Sequence, residues 1–192
     1  MSHLERKIYS NPLKWKLRTF FYLFFFIVTL YTIVIRKSTY QIVVENTIKN
    51  STPEQVWEYV IDFSNMMKLN PTIEEFRIIN ESGPPNNWKY SVHYKEHLYY
   101  IPFIKNEATA EYSTKHGEKD YFIISNHVTC FLKGFFCVGS DSEFKFSRNN
   151  SGTTCTEQVK YECPMLFYFL CRGEVLYQRH EIMKRLTQTF SH

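Results

Sequence analysis

The 192-residue sequence predicts an α+β domain that follows one apolar helix. Three observations support this prediction: an uncharged run near the N-terminus, a series of segments in which apolar and polar residues alternate, and a last segment with apolar residues at helical spacing. Alternation with a period of two is typical of strands, and spacing of three and four residues is typical of helices. The predicted order is one strand, two short helices, about six antiparallel strands and one long helix, which is an α+β arrangement.

The apolar run covers residues 19–35 and lies between Arg18 and Arg36. Twelve of its seventeen residues are Phe, Leu, Ile or Val, and at about −0.3 to −0.6 kcal/mol each they favour membrane insertion by about 4–7 kcal/mol. As a helix the run is about 25 Å long, close to the thickness of the endoplasmic reticulum membrane. We interpret it as an uncleaved transmembrane helix. The alternatives are a buried core helix, which normally keeps a polar stripe, and a cleaved signal peptide, which normally has a shorter apolar region.

The net charge differs between the two parts of the chain. Residues 1–37 hold seven Lys/Arg and one Glu, a net charge of +6, while the other 155 residues hold sixteen Lys/Arg and eighteen Asp/Glu, a net charge of −2. We therefore divide the chain into a basic leader (1–18), a transmembrane helix (19–35) and one folded domain (38–192). Because the folded domain has no excess of positive charge, we expect no nucleic-acid partner.

The expected location is the endoplasmic reticulum or the secretory pathway, as a single-pass membrane protein. More Lys/Arg residues precede the apolar run than closely follow it, which favours a cytosolic N-terminus and a lumenal folded domain. Three Asn-x-Ser/Thr triplets, at Asn50, Asn80 and Asn149, permit a lumenal domain without requiring it. The five cysteines are odd in number and form no C-x-x-C pair, so they predict neither a disulfide framework nor a zinc site. The side of the membrane on which the folded domain lies therefore stays open.

The elements of the folded domain follow from local sequence. β-Branched residues predict the first strand, and a helix begins after it at a capping box made by Ser51 with Glu54 or by Thr52 with Gln55. The second helix ends before Pro71, because a residue that precedes proline avoids helical angles. The predicted segments are, in order, a strand at 40–48, helices at 51–61 and 63–69, strands at 72–80, 88–94, 106–114, 120–129, around 144–146 and 153–163, and a long helix from about 165 to 190.

Residues 43–63, followed by 69–73, carry a resemblance to a known family. They combine a strand, a Pro/Glu helix start, a Val56-Trp57 pair and Pro71 at the opening of the second strand. In this pattern the chain resembles the START-like (SRPBCC) superfamily, which includes lipid-transfer START domains, polyketide cyclase/dehydrase-like proteins and the birch-pollen allergen. The resemblance implies a helix-grip fold, in which a curved antiparallel sheet of about six or seven strands wraps around the long C-terminal helix and leaves an apolar cavity between them.

The resemblance also implies that this cavity binds a hydrophobic ligand, such as a lipid or a sterol. An N-terminal anchor is not a general feature of the family, and from the apolar helix we expect the domain to move or present the ligand beside its membrane. The expected partners are this ligand and the bilayer; no cofactor and no metal are expected, and no protein partner is identified. The 25 aromatic residues of the folded domain suit an apolar pocket, although they would also fill a core. The expected wall residues before the last helix are Val44, Trp57, Trp88, Tyr90, Val92, Tyr94, Ile123, Phe144, Phe146, Val159 and Tyr161. Those expected from the last helical segment are Leu166, Leu170, Leu176, His180 and Met183.

Two groups of residues have the types that catalysis uses. Residues 93–97 read H-x-x-E-H, but on a strand the two imidazoles are about 13 Å apart and cannot share a zinc ion. Glu107, Glu111, His127 and Tyr161 would form an acid–base set if they met in the cavity, whereas surface charges and a core histidine are the plainer interpretation. The alternatives to ligand binding are therefore a cyclase/dehydrase-type enzyme acting on a lipophilic substrate and a membrane scaffold with a filled core. No catalytic residue is assigned.

Overall fold

The computed structural model describes residues 12–84, 87–117 and 119–191. Helix α1 (Pro12–Leu30) continues into a π-helical turn, Tyr31–Ile35. The stretch Trp15–Ile35 is long and apolar enough to cross a membrane, by length and composition, and a signal sequence would meet the same test. The alternative of a buried core helix is wrong, because no part of this stretch is buried. Most of the expected basic leader lies outside the described residues.

The folded domain is built on one antiparallel sheet of seven strands. The strands are β1 (Lys37–Lys49), β2 (Ile73–Ser82), β3 (Lys89–His97), β4 (Lys105–His116), β5 (Asp120–Phe131), β6 (Phe136–Asn149) and β7 (Gly152–Pro164). Their order across the sheet is β1-β7-β6-β5-β4-β3-β2, so the strands from β2 to β7 pair in succession and β1 forms the edge beside β7. Two short helices follow β1 and a long helix follows β7, which confirms the predicted α+β helix-grip fold.

Capping side chains fix the starts of the short helices α2 (Pro53–Ile61) and α3 (Phe63–Leu69). Thr52 Oγ1 accepts from the Gln55 backbone N–H at 3.3 Å, and the Gln55 side chain accepts from the Thr52 N–H at 3.1 Å. The capping box is therefore the second of the two predicted pairs. Asp62 accepts a backbone N–H at 2.9 Å in the same way at the start of α3. These bonds satisfy N–H groups that a helix start leaves without partners.

The long helix α4 (Tyr168–Thr189) packs against the face of the sheet that carries the core. The predicted start near residue 165 falls in a separate 3₁₀ turn, Met165–Phe167. Asn46 Nδ2 on β1 donates to Thr187 Oγ1 at 2.8 Å, which ties the last turns of α4 to the edge of the sheet. The buried residues of the helix are Glu174, Ile182, Met183 and Leu186.

The part of the interior beneath α2, which we call the α2 half, is a close-packed apolar core. Ile48, Val56, Phe146 and Cys155 are all 0 % exposed there. Phe144 stacks on Phe146, with ring centroids 4.4 Å apart. Burial of this kind is the main favourable term in folding, at about 25 cal/mol per Å² of apolar surface.

The structure contains two disulfides, although the number and spacing of the cysteines did not predict a disulfide framework. Cys130 and Cys137 face each other across β5 and β6, with Cα atoms 4.0 Å apart, and Cys163 bonds Cys171 across the β7–α4 connection, with Cα atoms 6.3 Å apart. Cys155 is the free cysteine of the described residues and is buried. The pairing depends on strand register and on the packing of α4, and neither can be deduced from the spacing of the cysteines.

Candidate functional site

The part of the interior beneath α4, which we call the α4 half, contains a small cavity. Its volume is about 40 Å³, which suits about two or three water molecules and is far below the ~300–1,000 Å³ of a typical ligand pocket. Apolar and polar side chains share its walls, so the expected apolar hollow is small and half polar. The lining residues are Val60, Met66, Asn70, Ile73, Tyr94, Tyr112, Ile123, Ser125, His127, Ser142, Phe144, Glu157, Gln178, Arg179 and Ile182.

An ion pair joins α4 to the sheet at this cavity. Arg179 Nη1 is 2.8 Å from Glu157 Oε1, and Ser142 Oγ donates to the same oxygen at 2.8 Å. The side chains of Glu157 and Arg179 are only 3 % and 18 % exposed. Burial lowers the pKa of Arg179, but the charge of Glu157 opposes this effect and the net shift is upward. Within the described part of the chain, Glu157 Oε2 and Arg179 Nε have no hydrogen-bond partner. Because unpaired buried polar atoms are costly, these two are open to water or to a polar ligand group.

A chain of neutral groups lies next to the ion pair. Tyr94 Oη is 3.0 Å from His127 Nδ1, and Ser125 Oγ is 2.8 Å from His127 Nε2. Burial, together with the positive charge of Arg179, lowers the pKa of His127 to about 3. Burial also raises the pKa of Tyr94 well above its usual value. At pH 7 the imidazole of His127 is therefore neutral, with one nitrogen that donates and one that accepts.

Two buried acidic residues complete the polar surroundings. Burial raises the pKa of Glu96 to about 7, against the opposing charge of Arg179. Thr72 Oγ1 donates to Glu96 Oε2 at 3.4 Å. The two carboxylate oxygens of Glu174 accept from the Tyr99 N–H at 2.8 and 3.0 Å. Glu96 is thus partly ionised near neutral pH, while Glu174 fixes the β3–β4 loop to α4.

The β3–β4 loop, residues 98–104, packs directly on α4. The ring of Tyr99 stacks on that of Tyr177, with centroids 3.5 Å apart. The Tyr100 ring approaches Gly173 so closely that a β-carbon at Gly173 would lie 2.9 Å from Tyr100 Cε2. A side chain at position 173 would therefore force the Tyr100 ring to move away from α4. The loop holds the first half of α4 in place beside the cavity.

Three charged residues of the site, Glu96, Glu157 and Arg179, are absent from the predicted wall. The alternation of side chains along each strand contained a signal for two of them. Glu157 lies two positions from the inward-facing Val159 on β7, and Glu96 lies two positions from the inward-facing Tyr94 on β3, so both glutamates also face inward. A prediction of the cavity wall that considers only apolar residues omits a charged residue whose side chain faces inward. Helical spacing gives no such signal for Arg179, because arginines normally lie on solvated helix faces.

The sixteen predicted wall residues fall into four groups. Tyr94, Ile123 and Phe144 line the cavity. Val44, Tyr90, Val92, Phe146, Val159, Tyr161 and Met183 are buried in the core without lining it. Trp57, Trp88, Leu170 and Leu176 are partly buried. Leu166 and His180 are exposed and do not face the cavity. His180 points away because it follows Arg179 on the helix and lies about 100° around the axis from it.

The structure does not bring together the residues of either candidate catalytic group. Residues 93–97 lie on strand β3 as expected, and the first histidine of the motif is 3.7 Å from Glu107 Oε2 on the outer face. Of the acid–base set, His127 lines the cavity, whereas Glu107 and Glu111 are exposed on β4 and Tyr161 packs beside Tyr40 in the core. These residues therefore do not form one site.

Comparison with known proteins gives matches among solved structures. No family model matches the sequence, and no curated protein matches it. The di-domain ARO/CYC protein StfQ from the steffimycin biosynthetic pathway has a TM-score of 0.57 at 9% identity, over 80% of this chain and 51% of that chain. The lipid transfer and protein localization domain of human StarD13 has a TM-score of 0.56 at 12% identity, over 80% and 77%.

An uncharacterized protein from Rhizobium leguminosarum has a TM-score of 0.55 at 13% identity, over 80% of this chain and 97% of that chain. Identities this low establish similarity of fold. The seven-stranded antiparallel sheet and the long helix that follows it agree with the predicted helix-grip fold. The chain therefore has the START-like helix-grip fold that its sequence predicts.

Proposed function

We propose that this protein binds a hydrophobic, lipid-class ligand beside the membrane in which α1 anchors it. The ligand's polar group contacts the ion pair of Arg179 and Glu157, and its apolar part lies along Ile123, Phe144 and Ile182. The observation that carries the proposal is the pair of unpartnered buried atoms, Glu157 Oε2 and Arg179 Nε, at a cavity whose other wall is apolar. Likeness of fold to a lipid transfer domain supports it. Burial of the apolar part contributes about 25 cal/mol per Å².

Ligand binding in this proposal requires the cavity to widen, because about 40 Å³ cannot hold a lipid. We propose that α4 moves away from the sheet when loop 98–104 releases it. The contacts to be broken are the bonds from the Tyr99 N–H to Glu174 and the stacking of Tyr99 on Tyr177. The Cys163–Cys171 disulfide keeps the first turn of α4 attached to β7, so the far end of the helix moves more than the near end.

The membrane arrangement is part of the same proposal. We place α1 across the membrane with a cytosolic N-terminus and the folded domain on the lumenal or extracellular side. Two disulfides favour this side, because disulfides persist in oxidising compartments. The triplet asparagines Asn50, Asn80 and Asn149 lie near strand ends far from α1, where a glycan would not meet the bilayer.

Photocrosslinking with lipid analogues tests ligand binding. The full chain is reconstituted in vesicles that contain diazirine analogues of a sterol, a fatty acid or a phospholipid, and crosslinked peptides are mapped by mass spectrometry. We expect crosslinks to β5, β6 or α4 residues of the cavity from one analogue, with competition by the unmodified lipid. Arg179→Met should reduce these crosslinks about tenfold, because it removes a charged hydrogen bond to the ligand.

Arg185→Met is the matched control. Arg185 lies on the same helix, is half-buried, and donates to the Lys68 carbonyl at 2.9 Å, away from the cavity. Its replacement should leave the crosslinks unchanged. Crosslinks confined to α1, for all analogues and with no competition, would contradict ligand binding in the domain.

A glycosidase assay tests the side of the membrane. We expect the full chain from a eukaryotic host to carry a glycan at one or more of Asn50, Asn80 and Asn149, so that glycan removal increases its gel mobility. Asn-to-Gln replacement at the three positions is the control. An unglycosylated chain whose folded domain is digested by protease in intact microsomes would place the domain in the cytosol.

The second candidate function is catalysis on a lipophilic substrate. It is favoured by the neutral His127 between Tyr94 and Ser125, and by Glu96, whose pKa of about 7 suits a general acid or base. Incubating the bound lipid with the protein and analysing it by mass spectrometry distinguishes the two functions. Conversion that is lost in His127→Gln supports an enzyme, and recovery of unchanged lipid supports binding alone.

A further inference from the structure

Three loops at one end of the sheet expose large apolar side chains. Phe103 in the β3–β4 loop is 84% exposed, Phe135 in the β5–β6 loop is 89% exposed, and Phe169 after β7 is 86% exposed. Other large exposed side chains of the same loops are Tyr99, Tyr100, Leu132, Met165, Leu166 and Phe167. We call residues 98–104, 132–135 and 165–169 the anchor-end loops; the third includes the first two residues of α4.

The order and register of the strands place these three loops at the end of the sheet where β1 begins. In an antiparallel sheet of this order, the loops that follow β3, β5 and β7 lie at the end where β1 begins. Lys37, the first residue of β1, pairs with Pro164, the last residue of β7. The helical turn Tyr31–Ile35 contacts the turn Met165–Phe167. The exposed side chains are therefore at the end of the domain that the apolar helix enters.

Covalent bonds constrain two of these loops. The Cys130–Cys137 disulfide encloses loop 132–135, and Cys163–Cys171 encloses loop 165–169. In the first loop Leu132 has a φ of 52°, a left-handed conformation that is unfavourable for leucine. Closed loops have fewer conformations available, so the exposure of their phenylalanines is a fixed property of the fold. Exposed apolar side chains grouped at one end of a domain are typical of a contact site.

We propose that the anchor-end loops dock on the membrane leaflet from which α1 emerges, with Phe103, Phe135 and Phe169 in the lipid interface. This inference rests on the proposed membrane anchoring. A single residue, Arg36, lies between the helical turn and β1, so this end of the domain cannot move far from the bilayer surface. Apolar side chains of interfacial segments enter the headgroup region to a depth of about 5–10 Å.

Charge at the same end fits a phospholipid surface. Lys133 is exposed in the same loop as Phe135, Arg172 is exposed on α4 three residues after Phe169, and Arg36 is exposed at the helix end. Cationic side chains next to interfacial apolar ones can contact lipid phosphates. At the other end of the sheet, the exposed residues of the turns 50–52 and 149–152 are polar, namely Asn50, Asn150 and Ser151. The bilayer therefore explains both the position and the composition of the anchor-end loops.

Quenching of tryptophan fluorescence by brominated lipid tests the docking. The full chain is reconstituted in phosphatidylcholine vesicles with or without bromine part-way along the acyl chains. Phe135→Trp and Phe169→Trp each add one reporter to a loop, and Ile79→Trp adds one at an exposed site of β2 about 20 Å from the anchor end. We expect the bromine to remove about half of the emission of the two loop reporters and to leave that of the control unchanged.

Trp15 on α1 separates this inference from the proposed anchoring. Its contribution is obtained from the difference between the parent and Trp15→Phe, and quenching of Trp15 reports that α1 is in the bilayer. If Trp15 is quenched while the reporters at 135 and 169 are quenched no more than the control at 79, the docking proposal is wrong and the anchoring proposal stands. The anchor-end loops would then bind a protein partner or a second copy of the chain. If Trp15 is not quenched either, both proposals are overturned.

Discussion

The α2 half and the α4 half of the interior are built by the same strands and differ in chemistry. On β7 the inward residue Cys155 belongs to the apolar core, and two positions later Glu157 pairs with Arg179. Phe146 and Ser142 on β6 differ in the same way. Apolar burial in the α2 half stabilises the fold, whereas a buried ion pair gives little or no net stability. The proposed ligand site accounts for this difference, because a domain that only needed a filled core would gain more stability from apolar residues beneath α4.

The largest expected effect on stability comes from replacing only one partner of the Glu157–Arg179 ion pair. Arg179→Met leaves Glu157 buried without its partner, so we expect a loss of about 3–5 kcal/mol in the free energy of unfolding. Urea denaturation of the full chain in detergent micelles, followed by near-ultraviolet circular dichroism, measures this loss.

The double variant Glu157→Met/Arg179→Met sharpens the comparison. Two apolar residues in place of the pair remove both charges together, so we expect most of the lost stability to return. The double variant should nevertheless fail to crosslink lipid. A double variant as unstable as the single one would show that the α4 half stabilises the fold in the same way as the α2 half.

The next effect concerns the pH dependence of stability. The folded-state pKa of Glu96 is raised from 4.5 to about 7, so the stability it contributes is lost as the pH rises through this range. The folded-state pKa of His127 is lowered from 6.5 to about 3, so the stability it contributes is lost as the pH falls through that range. Between pH 4.5 and 6.5 the two effects oppose each other.

Single variants should separate the contributions of Glu96 and His127 to the change of stability with pH. Between pH 4.5 and 6.5, we expect the stability of Glu96→Gln to rise with pH relative to the parent, and that of His127→Gln to fall. Each slope should differ from that of the parent by about 1.4 kcal/mol per pH unit. Urea denaturation at several pH values measures the slopes, and equal slopes in both variants and the parent would contradict the assigned shifts.

The smallest effect is expected from a conservative change in the α2 half. Ile48→Val removes one buried methylene group, and we expect it to cost about 0.5–1.5 kcal/mol with no change in the pH dependence and no change in lipid crosslinking. The same denaturation and crosslinking experiments apply. An altered crosslinking pattern in this variant would mean that the two halves are not independent.

Local signals predicted most of the fold, and tertiary contacts determined most of the site. The Thr52–Gln55 capping box and the stop before Pro71 each act within a few residues, so α2 and α3 agree with their predicted ends. The pairing of Arg179 with Glu157 joins residues 22 positions apart through the packing of α4, and no sequence period contains it. Phe135 has the residue type of a core position, and only the turn geometry shows that it is exposed.

The free cysteine has a consequence for the durability of the two disulfides. Thiol–disulfide exchange requires a thiolate, and burial raises the pKa of the Cys155 thiol to about 12. At pH 7 only about one Cys155 in 10⁵ is therefore ionised, and it lies in the core, away from both bridges. A chain with an odd number of cysteines risks scrambled pairing while it folds, but completion of the apolar core removes the attacking sulfur and preserves the two correct bonds.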